Sequence, residues 1–289
     1  GFSSYADRNN HLLKEFLNQF DFDYEFISST ERYKSGYFDS FLLKILENYE
    51  SIMEIILPTL RKDRRESYSP FLPICKKSGK VLEVGITIIS KKDGLIAYKD
   101  SSNKTVETSV TKGNCKLQWK VDWSMRWSAL DINYEMNGKD LIPSFELSKQ
   151  IAKFINKKVP VNMPYELFLD QNGEKISKSK GNGLSIDEWL KYGTKESLAY
   201  FMYVHPRRAK RLYFDCIPKS MDDYKKNYDN LSKEEVSKID NAIWHIHEGN
   251  IPNSVYPIEF STLINLVTAL NTSDTETIYN FCLLYNKKN

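Results

Sequence analysis

A segment rich in lysine, serine and glycine, residues 172–183, constrains this chain more than any other part of the sequence. It follows the apolar, strand-like run Tyr165–Leu169, and Gly173 suits a tight turn between the two. Gly181 and Gly183 let the backbone approach a ligand closely because they carry no side chain. The sequence therefore predicts a strand, a hairpin turn and a ligand-binding loop.

The polar side chains of this loop are those of a phosphate-binding site. Lys175 and Lys178 supply ammonium groups, and Ser177 and Ser179 supply hydroxyl and backbone donors. Such donors neutralise the charge of a polyphosphate. A solvated basic loop has the same composition, so these residues alone leave both interpretations open.

The composition is that of a globular protein. The chain has 289 residues, of which 41% are apolar and 27% charged, enough for two or more packed units. No apolar run approaches the roughly 18 residues of a membrane helix, so we expect a cytoplasmic protein with no membrane partner. The four cysteines lie far apart and form no Cys-x-x-Cys pair, so we expect reduced thiols and no metal site, zinc included.

The apolar pattern predicts alternating helices and strands. A helix at Leu12–Phe20, a strand at Tyr24–Ile27 and a long helix at Phe38–Ile56 are typical of an α/β layered domain. Strands at 81–84, 85–89 and 95–98, with a hairpin at Asp93-Gly94, predict a small antiparallel insertion with an exposed tip at 100–111.

The second half of the chain begins with three tryptophans, Trp119, Trp123 and Trp127, for which a core position is the default interpretation. A strand at Ile132–Glu135 leads to Gly138-Lys139-Asp140. Ligands bind at the carboxyl ends of strands in open α/β sheets, so Gly138 and Asp140 are candidates to hold a ribose or an ammonium group. Beyond Ser185 the pattern predicts four helices, at residues 187–192, 195–203, 258–270 and 275–284.

Several of these motifs resemble one known family. Lys175–Ser179, with Gly181-Asn182, resembles the Lys-Met-Ser-Lys-Ser loop of class I aminoacyl-tRNA synthetases. Further stretches are similar to class I lysyl-tRNA synthetases in particular, and they extend over nearly the whole chain. These stretches are Tyr33–Gly36, Lys116–Trp123 with Arg126-Trp127, Gly138–Asp140, Pro164–Glu166 and Trp244–His247.

The resemblance implies a fold and a domain order. The fold class is α/β. It is a Rossmann-like catalytic domain, which this chain would enter midway and which carries a small β insertion, followed by an α-helical region for tRNA contact. Residues 1–65 would end the first Rossmann half, 66–115 form the insertion, 116–184 form the second half with the loop, and 185–289 begin the tRNA-contact region.

The resemblance also implies a reaction, the ATP-dependent ligation of L-lysine to lysine tRNA through a lysyl-adenylate, with Mg²⁺ accompanying ATP. The catalytic residues would be Lys175, Ser177, Lys178 and Ser179. The ATP-binding residues would be Lys178, Lys175, Gly138 and Asp140. The residues that bind the substrate lysine would be Trp119, Tyr165 and Asp140, and those that bind tRNA would be Arg207, Arg208, Lys210 and Arg211. For these four basic residues, a solvated turn is an equally weighted interpretation.

The sequence departs from the family pattern at two points. Leu141 stands where many members have a histidine that contacts the substrate. The His-Ile-Gly-His motif that grips ATP is missing, and His245-Ile246-His247 lacks its glycine. We therefore expect a fragment without the N-terminal segment and much of the C-terminal helical domain, inactive alone.

Two alternatives stay open. Another class I synthetase, such as a glutamyl enzyme, uses the same loop, although aromatic residues at Trp119 and Tyr165 favour a cationic substrate. A noncatalytic tRNA-binding module would show salt-sensitive tRNA binding with no saturable ATP or lysine site.

Overall fold

The structure is a computed structural model that describes residues 1–177, 181–231 and 240–288. The chain forms two compact units, Gly1–Pro164 and Tyr165–Asn289. Within the described residues the strands form four small sheets, three of two strands and one of three. The chain is a mixed α/β protein, which confirms the predicted fold class at that level, while the Rossmann-like arrangement and the four-part division stay predictions.

The first unit begins with helices and continues with alternating strands and helices. Its elements are α1 (Tyr5–Gln19), α2 (Ser29–Lys34), α3 (Asp39–Glu47), α4 (Tyr49–Ile56), α5 (Lys62–Arg65), β1 (Phe71–Pro73), β2 (Ile86–Ser90), β3 (Leu95–Lys99), β4 (Thr105–Ser109), β5 (Cys115–Leu117), α6 (Trp119–Ala129), β6 (Tyr134–Gly138), α7 (Ile142–Ile155) and β7 (Val161–Tyr165).

The core of this unit joins α3, α4, α6 and α7. The sequence predicts one helix over Phe38–Ile56, but the structure has two, because the chain breaks at Asn48. The Asn48 side chain donates hydrogen bonds to the carbonyl oxygens of Lys44, at 2.9 Å, and Phe154, at 3.4 Å. Asparagine commonly exchanges helical hydrogen bonds for such local ones, and here the exchange ties the break to α7.

The small antiparallel insertion is present as a sheet of β2, β3 and β4. Gly94 closes the predicted hairpin with φ +68°. The stretch predicted as an exposed tip contains β4, so that prediction is wrong in part. Val106 and Thr108 are shielded while Thr105 and Glu107 are exposed, and this alternation lets a polar stretch serve as an edge strand.

The predicted strand at Tyr24–Ile27 is wrong, since these residues form neither a helix nor a strand. A strand needs a hydrogen-bonded neighbour, and no described strand pairs with this segment. Apolar and aromatic residues alone therefore indicated a strand that the fold does not make.

A buried hydrogen-bond network ties α2 to α6. The Tyr33 hydroxyl donates to Oδ1 of Asp122 at 2.5 Å and accepts from the backbone N–H of Leu117 at 3.2 Å. Oδ2 of Asp122 pairs with Nη2 of Arg126 at 2.8 Å. Burial, and after it the Asp122 charge, raises the pKa of Tyr33, so the hydroxyl keeps the proton it donates.

The second unit is mainly helical. Its elements are β8 (Phe168–Leu169), α8 (Ile186–Leu190), α9 (Lys195–Tyr203), β9 (Lys210–Arg211), α10 (Cys216–Leu231), α11 (Ala242–Ile246), α12 (Phe260–Leu270) and α13 (Thr275–Lys288). The four helices predicted from periodicity are confirmed as α8, α9, α12 and α13. In the part of the chain that the structure describes, no helix is long and apolar enough to cross a bilayer.

We expect Tyr33→Phe to lower the free energy of unfolding by about 1–3 kcal/mol, because it leaves the buried Asp122 carboxylate one donor short. Urea-induced unfolding followed by tryptophan fluorescence measures this loss. Tyr37→Phe is the matched control, since the Tyr37 hydroxyl donates to the Ala129 carbonyl oxygen at 2.9 Å from an exposed position. Equal losses in the two variants would contradict the importance of the buried network.

Candidate functional site

The lysine-rich loop begins with the hairpin that the sequence predicts. Leu169 bridges Lys175 in antiparallel fashion. The backbone N–H of Asp170 donates to the Glu174 carbonyl oxygen at 2.7 Å. Gly173 adopts φ +84° between them, a conformation that favours glycine.

The Asp170 carboxylate holds both ends of the loop. It is buried, and its Oδ1 accepts hydrogen bonds from the backbone N–H groups of Asn172 and Glu174, each at 2.9 Å. Its Oδ2 accepts from Nδ2 of Asn182 at 2.8 Å, and Oδ1 of Asn182 accepts from the Ser177 N–H at 3.1 Å. The start and the end of the loop are therefore fixed to one carboxylate.

The two glycines near the end of the loop, Gly181 and Gly183, are required by its geometry. Gly181 has φ +61°. A Cβ on Gly183 would lie 2.9 Å from Cγ2 of Ile176, closer than real contacts allow. The sequence pattern around Asn182 thus reflects both a left-handed turn and the close approach of Gly183 to the Ile176 side chain.

The residues predicted to bind phosphate divide between described and undescribed positions. Lys175 is exposed on the described part of the loop and Ser177 is half-buried. Lys178 and Ser179 lie outside the described residues, so their assigned roles stay predictions.

In the first unit, α6 presents a ladder of aromatic rings. Trp119 stacks on Trp123 with ring centroids 5.2 Å apart and an interplanar angle of 25°. Trp123 lies 5.4 Å from Trp127, and Phe145 of α7 packs edge-on against Trp123. Trp127 is fully buried, whereas Trp119 is 43% exposed. The default core interpretation holds for the inner two tryptophans, and Trp119 alone offers a ring to a ligand.

A single carboxylate oxygen holds the inner two indoles. Oε2 of Glu135 accepts hydrogen bonds from Nε1 of Trp123, at 3.1 Å, and from Nε1 of Trp127, at 2.9 Å. Glu135 was not predicted from the sequence. The spacing of four residues puts the two indoles on one helix face, but it does not indicate which residue accepts their hydrogen bonds.

The turn after β6 carries the predicted Gly138 and Asp140. Gly138 is buried and ends β6, and a 3-10 turn over Lys139–Leu141 leaves Asp140 exposed. Leu141 packs against the tryptophan cluster. At the position where many family members have a substrate-contacting histidine, this chain therefore has a residue used in packing.

Tyr165 begins the second unit, at the end of β7, and is 39% exposed. The next residue, Glu166, donates its backbone N–H to the Pro206 carbonyl oxygen at 2.9 Å. The predicted tyrosine thus lies next to a backbone contact with the 205–211 turn.

The four basic residues predicted to contact tRNA differ in their surroundings. Arg207, Arg208 and Arg211 are exposed. The Lys210 ammonium is half-buried at the end of α9, where it donates hydrogen bonds to the carbonyl oxygens of Phe201 and Met202. Burial lowers the pKa of Lys210 to about 8. The arginines offer charge to a ligand, whereas the lysine caps a helix.

The two histidines of the Trp244–His247 stretch pack against tyrosines of the second unit. His245 stacks on Tyr203, and Nε2 of His247 lies 2.6 Å from the Tyr224 hydroxyl. Burial lowers the pKa of His247. Across the described ranges, no group of three or more His, Cys, Asp or Glu side chains could hold a metal ion.

We expect Asp170→Ala to raise the rate of tryptic cleavage after Lys175 at least about tenfold, because each lost hydrogen bond to a charged acceptor contributes about 1.5–3 kcal/mol. Cleavage rates from mass spectrometry of timed digests measure the change. Asp170→Asn retains one acceptor oxygen and should lie between Asp170→Ala and wild type. The exposed neighbour Gln171 gives the control Gln171→Ala, and equal rates for this control and Asp170→Ala would contradict the role of the carboxylate.

Comparison with known proteins identifies the family. A family model described as "tRNA synthetases class I (K)" matches residues 1–250. The lysine–tRNA ligase of Rickettsia bellii (strain OSU 85-389) is 50% identical over 289 residues, which cover 99% of this chain and 55% of the relative. Those of Rickettsia rickettsii (strain Sheila Smith) and Rickettsia felis are 49% and 48% identical, over 98% and 99% of this chain and 55% of each relative.

The chain spans about half the length of these curated relatives. The family match, by contrast, covers most of the chain, from its first residue to Asn250. The chain belongs to the family of class I tRNA synthetases designated K, the one-letter code for lysine.

Proposed function

We propose that this chain is an enzyme of tRNA aminoacylation, a part of a lysine–tRNA ligase that uses ATP to join L-lysine to lysine tRNA. The observation that carries the proposal is the 50% identity, over 99% of the chain, to a relative named lysine–tRNA ligase. The names of the relatives favour lysine over glutamate as the amino acid. The finer fold assignment belongs to the same proposal, with a Rossmann-like catalytic domain followed by a helical region for tRNA contact.

The first step of the proposed reaction is attack by the lysine carboxylate on the α-phosphorus of ATP, with pyrophosphate as the leaving group. Negative charge builds on the phosphates, and Mg²⁺ bound with ATP offsets part of it. We assign Lys178 as the main protein donor, assisted by Lys175 and the backbone near Ser177 and Ser179. One preorganised donor of this kind lowers the barrier by about 3 kcal/mol.

Asp170 supports this assignment because it holds the loop before ATP arrives. A loop fixed at Asn172, Glu174 and Asn182 loses less conformational freedom when it closes on phosphate. The loop would thus lose its conformational entropy during folding. More of the interaction energy with phosphate would then be available to stabilise the transition state.

We assign the substrate's ammonium group to the exposed ring of Trp119. Cation–π attraction is strongest on an indole face, and stacking on Trp123 holds this ring in one orientation. Asp140 adds a carboxylate on the neighbouring turn, and the resemblance adds the phenol of Tyr165. Because Leu141 packs on the tryptophan cluster, lysine would be recognised without an imidazole at that position.

We assign the exposed Arg207, Arg208 and Arg211 to the tRNA backbone. Arginine binds phosphate through paired N–H groups, and contacts of this kind position RNA without reading its sequence. A noncatalytic tRNA-binding module, the second candidate function, is favoured by the same three exposed arginines and differs in lacking the adenylate site.

We expect the 289-residue chain to bind a nonhydrolysable lysyl-adenylate analogue saturably, and Lys178→Ala and Trp119→Ala each to weaken binding at least about fivefold, since each removes an interaction of about 1–3 kcal/mol. Isothermal titration calorimetry measures the affinities. Trp244→Ala, in the second unit, is the control for loss of a tryptophan. An absence of wild-type binding would contradict the assignment of an adenylate site to this chain and favour the noncatalytic module.

We expect Arg207→Ala, Arg208→Ala and Arg211→Ala together to reduce the salt dependence of tRNA binding, by roughly 0.7–0.9 in the slope of log K against log salt for each lost phosphate contact. Filter binding at several salt concentrations measures the slope. The matched control replaces three exposed lysines of another turn, Lys76, Lys77 and Lys80. Equal slopes in the two triple variants would place the tRNA contact elsewhere.

A further inference from the structure

We infer that Glu135 is a positioning residue for recognition of the substrate's ammonium group, acting through Trp123 and Trp127 on the exposed Trp119. The inference rests on the proposed function, because it concerns the same lysine-binding site. Neither the family description nor the names of the relatives assigns a role to this carboxylate.

The geometry begins with the two hydrogen bonds to Oε2 of Glu135. Indole N–H groups are donors only, so one acceptor oxygen at 3.1 and 2.9 Å fixes the rotation of Trp123 and Trp127 together. Phe145 packs against both rings, with its centroid 4.8 Å from that of Trp127 and its plane at 80° to that of Trp123. The two inner rings are therefore held both by a carboxylate and by packing.

Glu135 is itself held in place by its strand. Its backbone carbonyl oxygen accepts a hydrogen bond from Nδ2 of Asn162 at 3.1 Å, and the same amide group donates to Oδ1 of Asn137 at 2.5 Å. These contacts join β6 to β7 at Glu135. The acceptor for the indoles thus lies on a paired strand and not on the helix that carries the indoles.

Stacking on Trp123 in turn fixes the orientation of the Trp119 ring. Trp119 is the first residue of α6 and nearly half of its surface is exposed, so its own packing leaves one face open. The near-parallel contact with Trp123 sets which face that is. A cation is attracted to the face of an indole and not to its edge, so a rotated ring would lose the attraction.

A charged acceptor does more than position the indole rings. Hydrogen bonds to an ionised carboxylate are stronger than neutral ones, and they draw electron density toward the indole rings. A glutamine has an oxygen of the same reach without the charge. The series Glu135, Glu135→Gln and Glu135→Leu therefore separates the position of the acceptor from its charge.

The test compares two nonhydrolysable adenylate analogues by calorimetry, one carrying lysine and the other norleucine, which has the same carbon chain without the ammonium group. Since an ordered cation–π contact accounts for about a tenfold preference, Glu135→Leu should lose about tenfold in affinity for the lysyl analogue and little for the norleucyl analogue. Glu135→Gln should fall between Glu135→Leu and wild type.

Controls separate this role from a structural one. Glu146→Leu changes the same residue type at an exposed position on α7, where Glu146 pairs with Lys149 at 3.6 Å, and should leave both affinities unchanged. If Glu135→Leu fails to fold, Glu135→Gln, which keeps the side-chain shape, carries the comparison.

Equal weakening of both analogues, or no change in the affinity for the lysyl analogue, would overturn the inference while leaving the proposed function intact. A wild-type chain that binds neither analogue would refute the proposed adenylate site in this chain and this inference with it.

Discussion

A carboxylate shielded from water must collect hydrogen-bond donors, and the buried Asp122 and Asp170 and the half-buried Glu135 show this requirement in the described part of the chain. Asp122 accepts a hydrogen bond from the Tyr33 hydroxyl, pairs with the Arg126 guanidinium and so joins α2 to α6. Glu135 accepts hydrogen bonds from two indole N–H groups, and Asp170 accepts them from two backbone N–H groups and a side-chain amide. In each case at least one donor comes from a stretch of chain other than that of the carboxylate, so satisfying one side chain fixes a contact between two segments.

Helix α6 is where several of these constraints meet. Val121 and Met125 face the main core of the first unit, while Trp123 and Trp127 form a second cluster with Phe145. The helix is therefore covered on most of its surface, and its first residue, Trp119, remains exposed. A helix held on so many sides is a rigid support, which suits a binding residue at its start.

The sequence predicted several of the helices and some of the strands. Periodicity over nine or more residues located α9 and α12, because one shielded face repeats along a helix. Strands depend on partners distant in sequence, so Tyr24–Ile27 was wrongly predicted and β4 was taken for an exposed tip. The loop motif was recognisable from residues 175–183 alone. Asp170 and Glu135 were not, because a hydrogen bond across 12 residues, from Asn182 or Trp123, leaves no local pattern.

The stack of Trp119 on Trp123 also has an optical consequence. Indole rings 5.2 Å apart and close to parallel couple their electronic transitions, so their absorption and circular dichroism differ from those of separate tryptophans. The first unit thus contains a native chromophore pair with one member open to solvent. Anything that settles on that ring alters the coupling, and occupancy becomes visible in the near-ultraviolet spectrum without an attached dye.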